Sequence, residues 1–262
     1  MSKFAIRLFA PGAYAVFTFV SFTSSAQAQD RLISGGIGIG LAYSPSFPGA
    51  GTSDTSAFPV IDLTIGRYGF FNQRGLGLQN GVELQSGRLT YGIGIGYDFD
   101  KRRASDDARL TGLADVEPGA NVTLFAEYET GAMRFGIDLQ RGLSSDGHEG
   151  TRIKAQASYD WELSPRAGMT LTPYLVWADE NWMSAFYGVT AHESRASGLT
   201  EFHADSGLSE GGVTLSASYA LTPRTILFSS LEVARLTGDA KDSSVSFDDT
   251  QTRFASGLMF RF

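Results

Sequence analysis

The chain has 262 residues, 31 of them glycine and none cysteine, with 12% aromatics and a formal charge of −7. The lack of cysteine excludes disulfides and thiol chemistry. The excess of 28 acidic over 21 basic residues argues against nucleic acid as a partner. Mean hydropathy near zero is too low for a bundle of membrane helices but suits a β-barrel, in which every second residue is polar. Length allows one large β domain or two small ones, and there is no Pro/Ser-rich linker to divide it.

Residues 1–28 read as a secretory signal. Lys3 and Arg7 form a positive start, an apolar stretch covers 8–22 with Pro11 and Gly12 inside it, and Ala26-Gln27-Ala28 supplies a small-residue cleavage pattern. Cleavage is expected between Ala28 and Gln29. A single domain then spans 29–262, with 19 basic and 28 acidic residues.

Period-two alternation runs along almost all of this domain. Ile37, Ile39, Leu41 and Tyr43 alternate with glycines and Ala42, and Leu89, Tyr91, Ile93, Ile95 and Tyr97 alternate with Thr90, Gly92, Gly94 and Gly96. Val213, Leu215, Ala217 and Tyr219 alternate with Thr214, Ser216 and Ser218. Persistent alternation predicts strands, and the segments have the roughly 9–11 residues of a tilted membrane strand. The last run places Phe254, Leu258, Phe260 and Phe262 on one face and Arg253 and Arg261 on the other, as a strand between lipid and a polar interior requires.

The fold predicted is all-β: a closed antiparallel transmembrane β-barrel of about twelve strands, at 32–43, 56–66, 75–85, 88–99, 119–130, 133–143, 150–163, 168–178, 182–190, 211–221, 225–236 and 252–262. This count puts the long segment 100–118 on the side of the short turns, against the usual rule. Adding short strands at 67–73 and 197–204 gives fourteen and moves it to the other side. Ten strands result if 75–85 or 182–190 are not full strands. A two-residue turn at 131–132 sets Glu129 opposite Arg134 and Tyr128 opposite Phe135, so both faces agree on one register. The 225–236 run is apolar on both faces, which leaves its orientation open.

Inward-facing polar candidates are Asp62, Glu83, Asp98, Glu127, Glu129, Arg134, Asp138, Arg152, Lys154, Asp160, Glu162, Arg253 and Arg261. Their mixed signs predict charge pairs across the interior. The glycine runs at 36–40 and 92–96 strip side chains from the inner wall, either to relieve curvature or to leave room for a plug loop or a solute. Trp161, Trp177 and Trp182, with Tyr97, Tyr128, Tyr159, Tyr187 and Tyr219, read as interfacial aromatics.

Catalytic and metal signatures are weak. His192 lies near Ser194, but no G-x-S-x-G fixes a nucleophile. His192 and His203 lack a carboxylate cluster to complete a metal site. His148 reads as a loop histidine. The segment Asp98–Asp107 lacks the glycine and terminal Glu of a calcium loop, and its basic residues favour a solvated or self-paired charge cluster. Gly36-x-Gly38-x-Gly40 has the wrong spacing for a dinucleotide fingerprint. No enzymatic activity, cofactor or metal is expected.

Taken in order, several short stretches resemble the MltA-interacting protein/OmpV family of outer-membrane proteins: Phe58-Pro59-Val60-Ile61-Asp62, Arg74-Gly75-Leu76-Gly77, Gly112-Leu113-Ala114-Asp115, Gly147-His148-Glu149-Gly150 and Trp177-Ala178-Asp179. They continue with Phe186-Tyr187-Gly188-Val189, Ser197-Gly198-Leu199, the 235–243 stretch Arg-Leu-Thr-Gly-Asp-Ala-Lys-Asp-Ser, and Phe262. Ala114 departs from the glycine expected there. The resemblance implies a scaffold in the outer membrane of a Gram-negative bacterium, in contact with outer-membrane lipid and lipopolysaccharide. It also implies periplasmic partners, a lytic transglycosylase and a murein synthase. A small-solute channel using the charged lumen and an adhesin using the long loops are the alternatives.

Overall fold

The computed structural model describes residues 4–7, 16–19 and 32–262; the expected cleavage site at Ala28 and Gln29 and most of the signal segment lie outside them. Segments Phe4–Arg7 and Val16–Phe19 pair as a ribbon in a sheet of their own. The rest is one closed antiparallel barrel of twelve strands. These are β1 Ile33–Pro45, β2 Ser53–Ile65, β3 Gly69–Asn72, β4 Gly75–Leu84, β5 Gly87–Asp98 and β6 Gly119–Thr130. The second half is β7 Met133–Gly142, β8 Thr151–Ser164, β9 Ala167–Ala178, β10 Gly207–Ala220, β11 Thr225–Leu236 and β12 Thr250–Arg261. Each strand pairs with its neighbours in sequence, and β12 closes onto β1 with Leu258 opposite Ile39.

The count of twelve is reached by a different set of strands from the one expected. Residues 182–190 do not form a strand. Glu180–Tyr187 is a helix, α1, whose N-cap Asp179 accepts the Trp182 N–H at 2.9 Å. The apolar residues Trp182, Met183, Phe186 and Tyr187 recur at three-to-four spacing, which is a helical stripe rather than an alternating one. The missing strand is the four-residue β3, inside the 67–73 segment; 197–204 contributes only the Val189–Phe202 bridge. This exchange settles the polarity of the barrel. Turns 66–68, 85–86, 131–132, 165–166 and 221–224 lie at one end, and 99–118, 143–150, 179–206 and 237–249 lie together at the other.

The 131–132 turn has the expected register, with Glu129 opposite Arg134 and Tyr128 opposite Phe135; Gly131 supplies its positive φ of 57°. Around the outside, alternate residues of every long strand form an exposed apolar belt, including Ile39, Leu41, Ile95, Ile137, Leu215, Leu231 and Phe260. In water such a belt would drive aggregation; against acyl chains it is the ordinary outer face of a membrane barrel. Tyr97, Tyr159, Trp177 and Tyr219 stand exposed as interfacial aromatics, whereas Trp182 and Tyr187 do not. Those two are buried on α1, so they belong to the loop end and not to the girdle.

The ambiguous strand β11 turns Ile226, Phe228, Ser230, Glu232, Ala234 and Leu236 inward and Leu227, Leu231 and Val233 outward. Inward aromatics crowd a glycine in each run. A Cβ on Gly40 would stand 2.4 Å from the Phe58 ring, and one on Gly92 2.7 Å from Phe125. A Cβ on Gly94 would meet the Arg74 carbonyl at 2.5 Å, because the β3–β4 tip folds over the inner face of β5. That second run therefore admits a turn as well as easing curvature.

The wall is uneven beside β3. Only Leu63, Thr64 and Ile65 of β2 pair with β3, whereas all of β2 pairs with β1. Ser53–Asp62 thus borders a notch toward the loop end. Pro59 sits on this stretch, where the missing N–H costs least, since one edge of the strand carries no ladder.

Candidate functional site: a charge-laced lumen under a folded cap

The barrel's interior carries four arginine-centred clusters. Arg74, on the β3–β4 tip, donates from Nη2 to Glu127 at 2.8 Å and from Nε to Asp138, and its guanidinium lies 4.0 Å over the Phe125 ring. Arg152 on β8 reaches Asp100 at 2.7 Å, Asp98 at 3.0 Å and Gln140 at 2.9 Å. His148 Nε2 stands 3.1 Å from the same Asp98 carboxylate. Arg253 on β12 reaches Glu232 at 2.6 Å and Glu210 at 3.0 Å. Tyr174 donates to Glu210 at 2.8 Å, and Thr214 donates to Glu232 at 2.9 Å. Lys154 lies 3.8 Å over the Tyr174 ring. Nearer the turn end, Arg134 reaches Asp160 at 2.8 Å and Glu129 at 3.5 Å.

Among the sequence candidates, Asp98, Glu127, Glu129, Arg134, Asp138, Arg152, Lys154, Asp160 and Arg253 thus lie in these linked groups. Asp62 and Arg261 flank Gly36 in one row across β2, β1 and β12. Glu83 is exposed at the turn-end rim, 2.9 Å from Arg88, and Glu162 is exposed at the same end; neither joins the clusters. Arg74, Asp100, His148, Glu210 and Glu232 complete the clusters and were not foreseen as lumen residues. Arg74 and His148 lie in stretches quoted for the family resemblance, which was their only signal. Glu232 was hidden by apolar residues on both faces of its strand. The 98–107 segment is only partly solvated. Lys101 pairs with Asp106 at 2.7 Å within it and Asp107 with Arg109, just beyond it, at 2.6 Å, but Asp98 and Asp100 are buried against Arg152.

The loops at the far end fold into a cap with its own apolar core. One cluster joins Trp182, Met183, Phe186 and Tyr187 of α1 to Val116, Ala204 and Ala240 and to the strand-end residues Ala178 and Leu236. A second joins Phe47, Ala50, Leu110, Leu113, Val189 and Val245. Each large side chain so buried contributes about 1.5–3 kcal/mol. Arg102, itself buried, bridges loops by donating to the carbonyls of Phe186 at 3.0 Å and Ala114 at 3.2 Å. The cap also contains α2 Ala191–Ser197 and α3 Gly238–Asp242.

Helix α2 begins with a reciprocal capping box. Glu193 N–H donates to Thr190 Oγ1 at 3.3 Å, and Thr190 N–H donates to Glu193 at 2.9 Å. The other Glu193 oxygen accepts the Ala114 N–H at 2.9 Å, tying α2 to the 99–118 loop. Burial works to raise the Glu193 carboxyl, but the Ala114 and Thr190 N–H groups, the Thr190 hydroxyl and the Arg102 charge outweigh it and hold it below the ordinary carboxylate range. A carboxyl depressed in the folded state stabilises fully above its unfolded value, and that contribution disappears as pH falls through the folded value. The α2 tie is therefore expected to loosen below about pH 4. Amide exchange over 190–198, corrected for intrinsic rates, should rise across that range in the parent. In Glu193→Gln it should be raised already at pH 7 and show little further change.

His192 is exposed on α2, and His203 is exposed 3.3 Å from Asp205 and 3.8 Å from Glu180. Among the described residues no group of three or more His, Cys, Asp or Glu is placed to hold a metal ion.

Twelve antiparallel strands closed on themselves, an apolar outer belt, short turns at one end and a polar interior define a transmembrane β-barrel of the bacterial outer-membrane class. The chain belongs to the family described as "MltA-interacting protein MipA", whose profile matches residues 37–262. It is 30% identical over 96 residues to YiaT of Escherichia coli strain K12, described provisionally as an outer membrane protein; the match covers 36% of this chain and 39% of YiaT. Its location is the outer membrane. Among solved structures it is similar to OmpT of Vibrio cholerae, at 7% identity and a TM-score of 0.41, over 89% of this chain and 99% of that one. It is also similar to the outer membrane channel DcaP of Acinetobacter baumannii, at 9% identity and a TM-score of 0.38, over 88% and 96%. Likenesses of this depth say nothing of function.

Proposed function

We propose that this barrel is a closed, non-catalytic scaffold that holds periplasmic murein enzymes, a lytic transglycosylase and a murein synthase, at the outer membrane. The observation that carries the closed half of the reading is the cap: two apolar clusters over the loop-end mouth, above a lumen in which Arg74, Arg152 and Arg253 are each bonded to two carboxylates. A conducting pore needs a wet, continuous path, and a cap core of this kind works against one. The partner half is supported by the family's description, which names an interaction with MltA. The end facing the periplasm offers short turns rimmed by exposed Arg88, Arg166 and Arg224 beside Glu83 and Glu162, a charged ring for protein contact. The outer belt meets lipid, and the cap rim meets lipopolysaccharide.

Two measurements on one preparation test this. In planar bilayers the purified barrel should give no conductance steps. Immobilised in detergent, it should retain a purified MltA-type transglycosylase or a murein synthase, and a double charge reversal, Arg88→Glu with Arg224→Glu, should weaken retention several-fold. Regular conductance steps, or failure to retain either enzyme, would overturn the corresponding half.

A further inference from the structure

The notch beside β2 leads inward. Between Asp54 and Ser56 of β2 and the segment Phe99–Lys101 after β5 lies a cavity of about 220 Å³, with Phe47 and Pro48 on its inner side. It stands at the level of the Tyr97–Phe99 aromatic pair, whose rings are 5.0 Å apart and partly exposed. Aromatics in that position mark the membrane–water interface of the outer leaflet. A second cavity, of about 80 Å³, lies in the upper lumen beneath α1. The two share Pro48, Asp100 and Arg253 in their walls, so they adjoin. Above them the cap core covers the mouth, which leaves the side of the barrel as the way in from the outer leaflet.

The inner cavity has hydrogen-bonding groups to spare. Gln73, Arg74 and Trp182 line it, and their Oε1, Nη1 and Nε1 atoms are buried with no hydrogen-bond partner among the described residues. Buried groups of this kind are costly when left unmet, so a water cluster or a ligand is called for. The charges select what kind. Arg74, Arg152 and Arg253 are each already bonded to two carboxylates. With Lys154 the cavity wall carries four cations against the four carboxylates Asp100, Asp138, Glu210 and Glu232, so it favours neither an anion nor a cation. Two donors and one acceptor suit a neutral head that carries both a carbonyl or ether oxygen and a hydroxyl or amide hydrogen.

We infer that the lumen binds a neutral single-chain amphiphile, such as a monoacylglycerol, which enters from the outer leaflet through the notch between β2 and the β5–β6 segment. The head meets Gln73, Arg74 and Trp182, and the chain runs back past Pro48 and Phe99 to the bilayer. This site is independent of any periplasmic partner, so it stands or falls separately from the scaffold reading.

The full barrel, with Trp161→Phe and Trp177→Phe removing the other two tryptophans, reports on Trp182 alone. It is reconstituted in phosphatidylethanolamine nanodiscs and titrated with a monoacylglycerol bearing a dibrominated chain. Saturable quenching of Trp182 is expected, with little from the free dibrominated fatty acid at pH 8 and no competition from glycerol. Gln73→Leu should weaken binding about ten-fold, the effect of one lost hydrogen bond. Ser56→Phe, which fills the notch without adding a second tryptophan, should slow or abolish quenching. Heat-modifiable mobility on gels verifies that each variant is folded, and Gln73→Glu serves as a second variant should Gln73→Leu fail to fold, with weakened binding again expected. Quenching that never saturates, that is as strong with the fatty acid, or that survives both Ser56→Phe and the folded Gln73 variant would overturn the proposal.

Discussion

Arg253→Leu should destabilise the folded barrel by about 3–5 kcal/mol, the usual cost of removing one partner from a buried ionic group. The side chain is held between Glu232 and Glu210 at 2.6 and 3.0 Å, and all three are nearly enclosed, with side-chain exposures of 4–14%. Its loss leaves two carboxylates across β10 and β11 without their bonded partner, and Lys154, which lies over the Tyr174 ring, remains as a nearby cation. Urea unfolding of the reconstituted barrel, followed by tryptophan fluorescence, measures the loss. Adding Glu210→Gln and Glu232→Gln should recover most of it, because the penalty lies in the stranded charges more than in the missing contact. If Arg253→Leu costs under about 1 kcal/mol, as an exposed pair would, the lumen is open to solvent at this level, and the closed-barrel reading loses its electrostatic support.

Leu215→Arg should cost about 2–4 kcal/mol, the depth-dependent penalty for an arginine on the lipid face near the midplane. Leu215 lies opposite Leu171 on one side and Leu231 on the other, in the middle of the exposed belt. Leu215→Met, which keeps the apolar contact, should change stability by less than about 1.5 kcal/mol. The neighbouring position is less informative than its alternation suggests. Ser216 faces inward but is buried in a row with Thr170 and Ser230, so an arginine there would meet crowding in addition to any change of medium. The belt assignment fails if Leu215→Arg and Leu215→Met unfold at the same urea concentration in bilayers.

Both substitutions probe the same wall from opposite sides, and the sequence announced that wall clearly. Alternation is a local property: each strand's pleat sends successive side chains to opposite faces, so Leu215 and Ser216 can be sorted without knowing their neighbours. The 131–132 register was equally local, since a two-residue turn fixes which residues oppose. Closure into a barrel followed as well, because lipid tolerates no unpaired strand edge that water could otherwise satisfy.

Two kinds of fact were out of reach. The first concerned segments whose pattern is ambiguous over a few residues. Residues 182–187 form a helix because an Asp179 cap and a buried stripe favour it once the loop-end core exists, and 69–72 is a strand only because β2 and β4 stand on either side. Exchanging those two assignments fixed which end each loop occupies.

The second concerned partners distant in sequence. Arg74 meets Glu127 and Asp138 because a turn folds inward over glycines on β5, and Arg253 meets Glu210 and Glu232 because β12 packs two strands away from β10. The sequence by itself determined the faces, the membrane and the family, since these rest on near-neighbour spacing and the order of short motifs. Only the tertiary structure decided the charge partners, the cap and the uneven wall beside β2, since each depends on where the closing of the barrel brings residues that lie far apart along the chain.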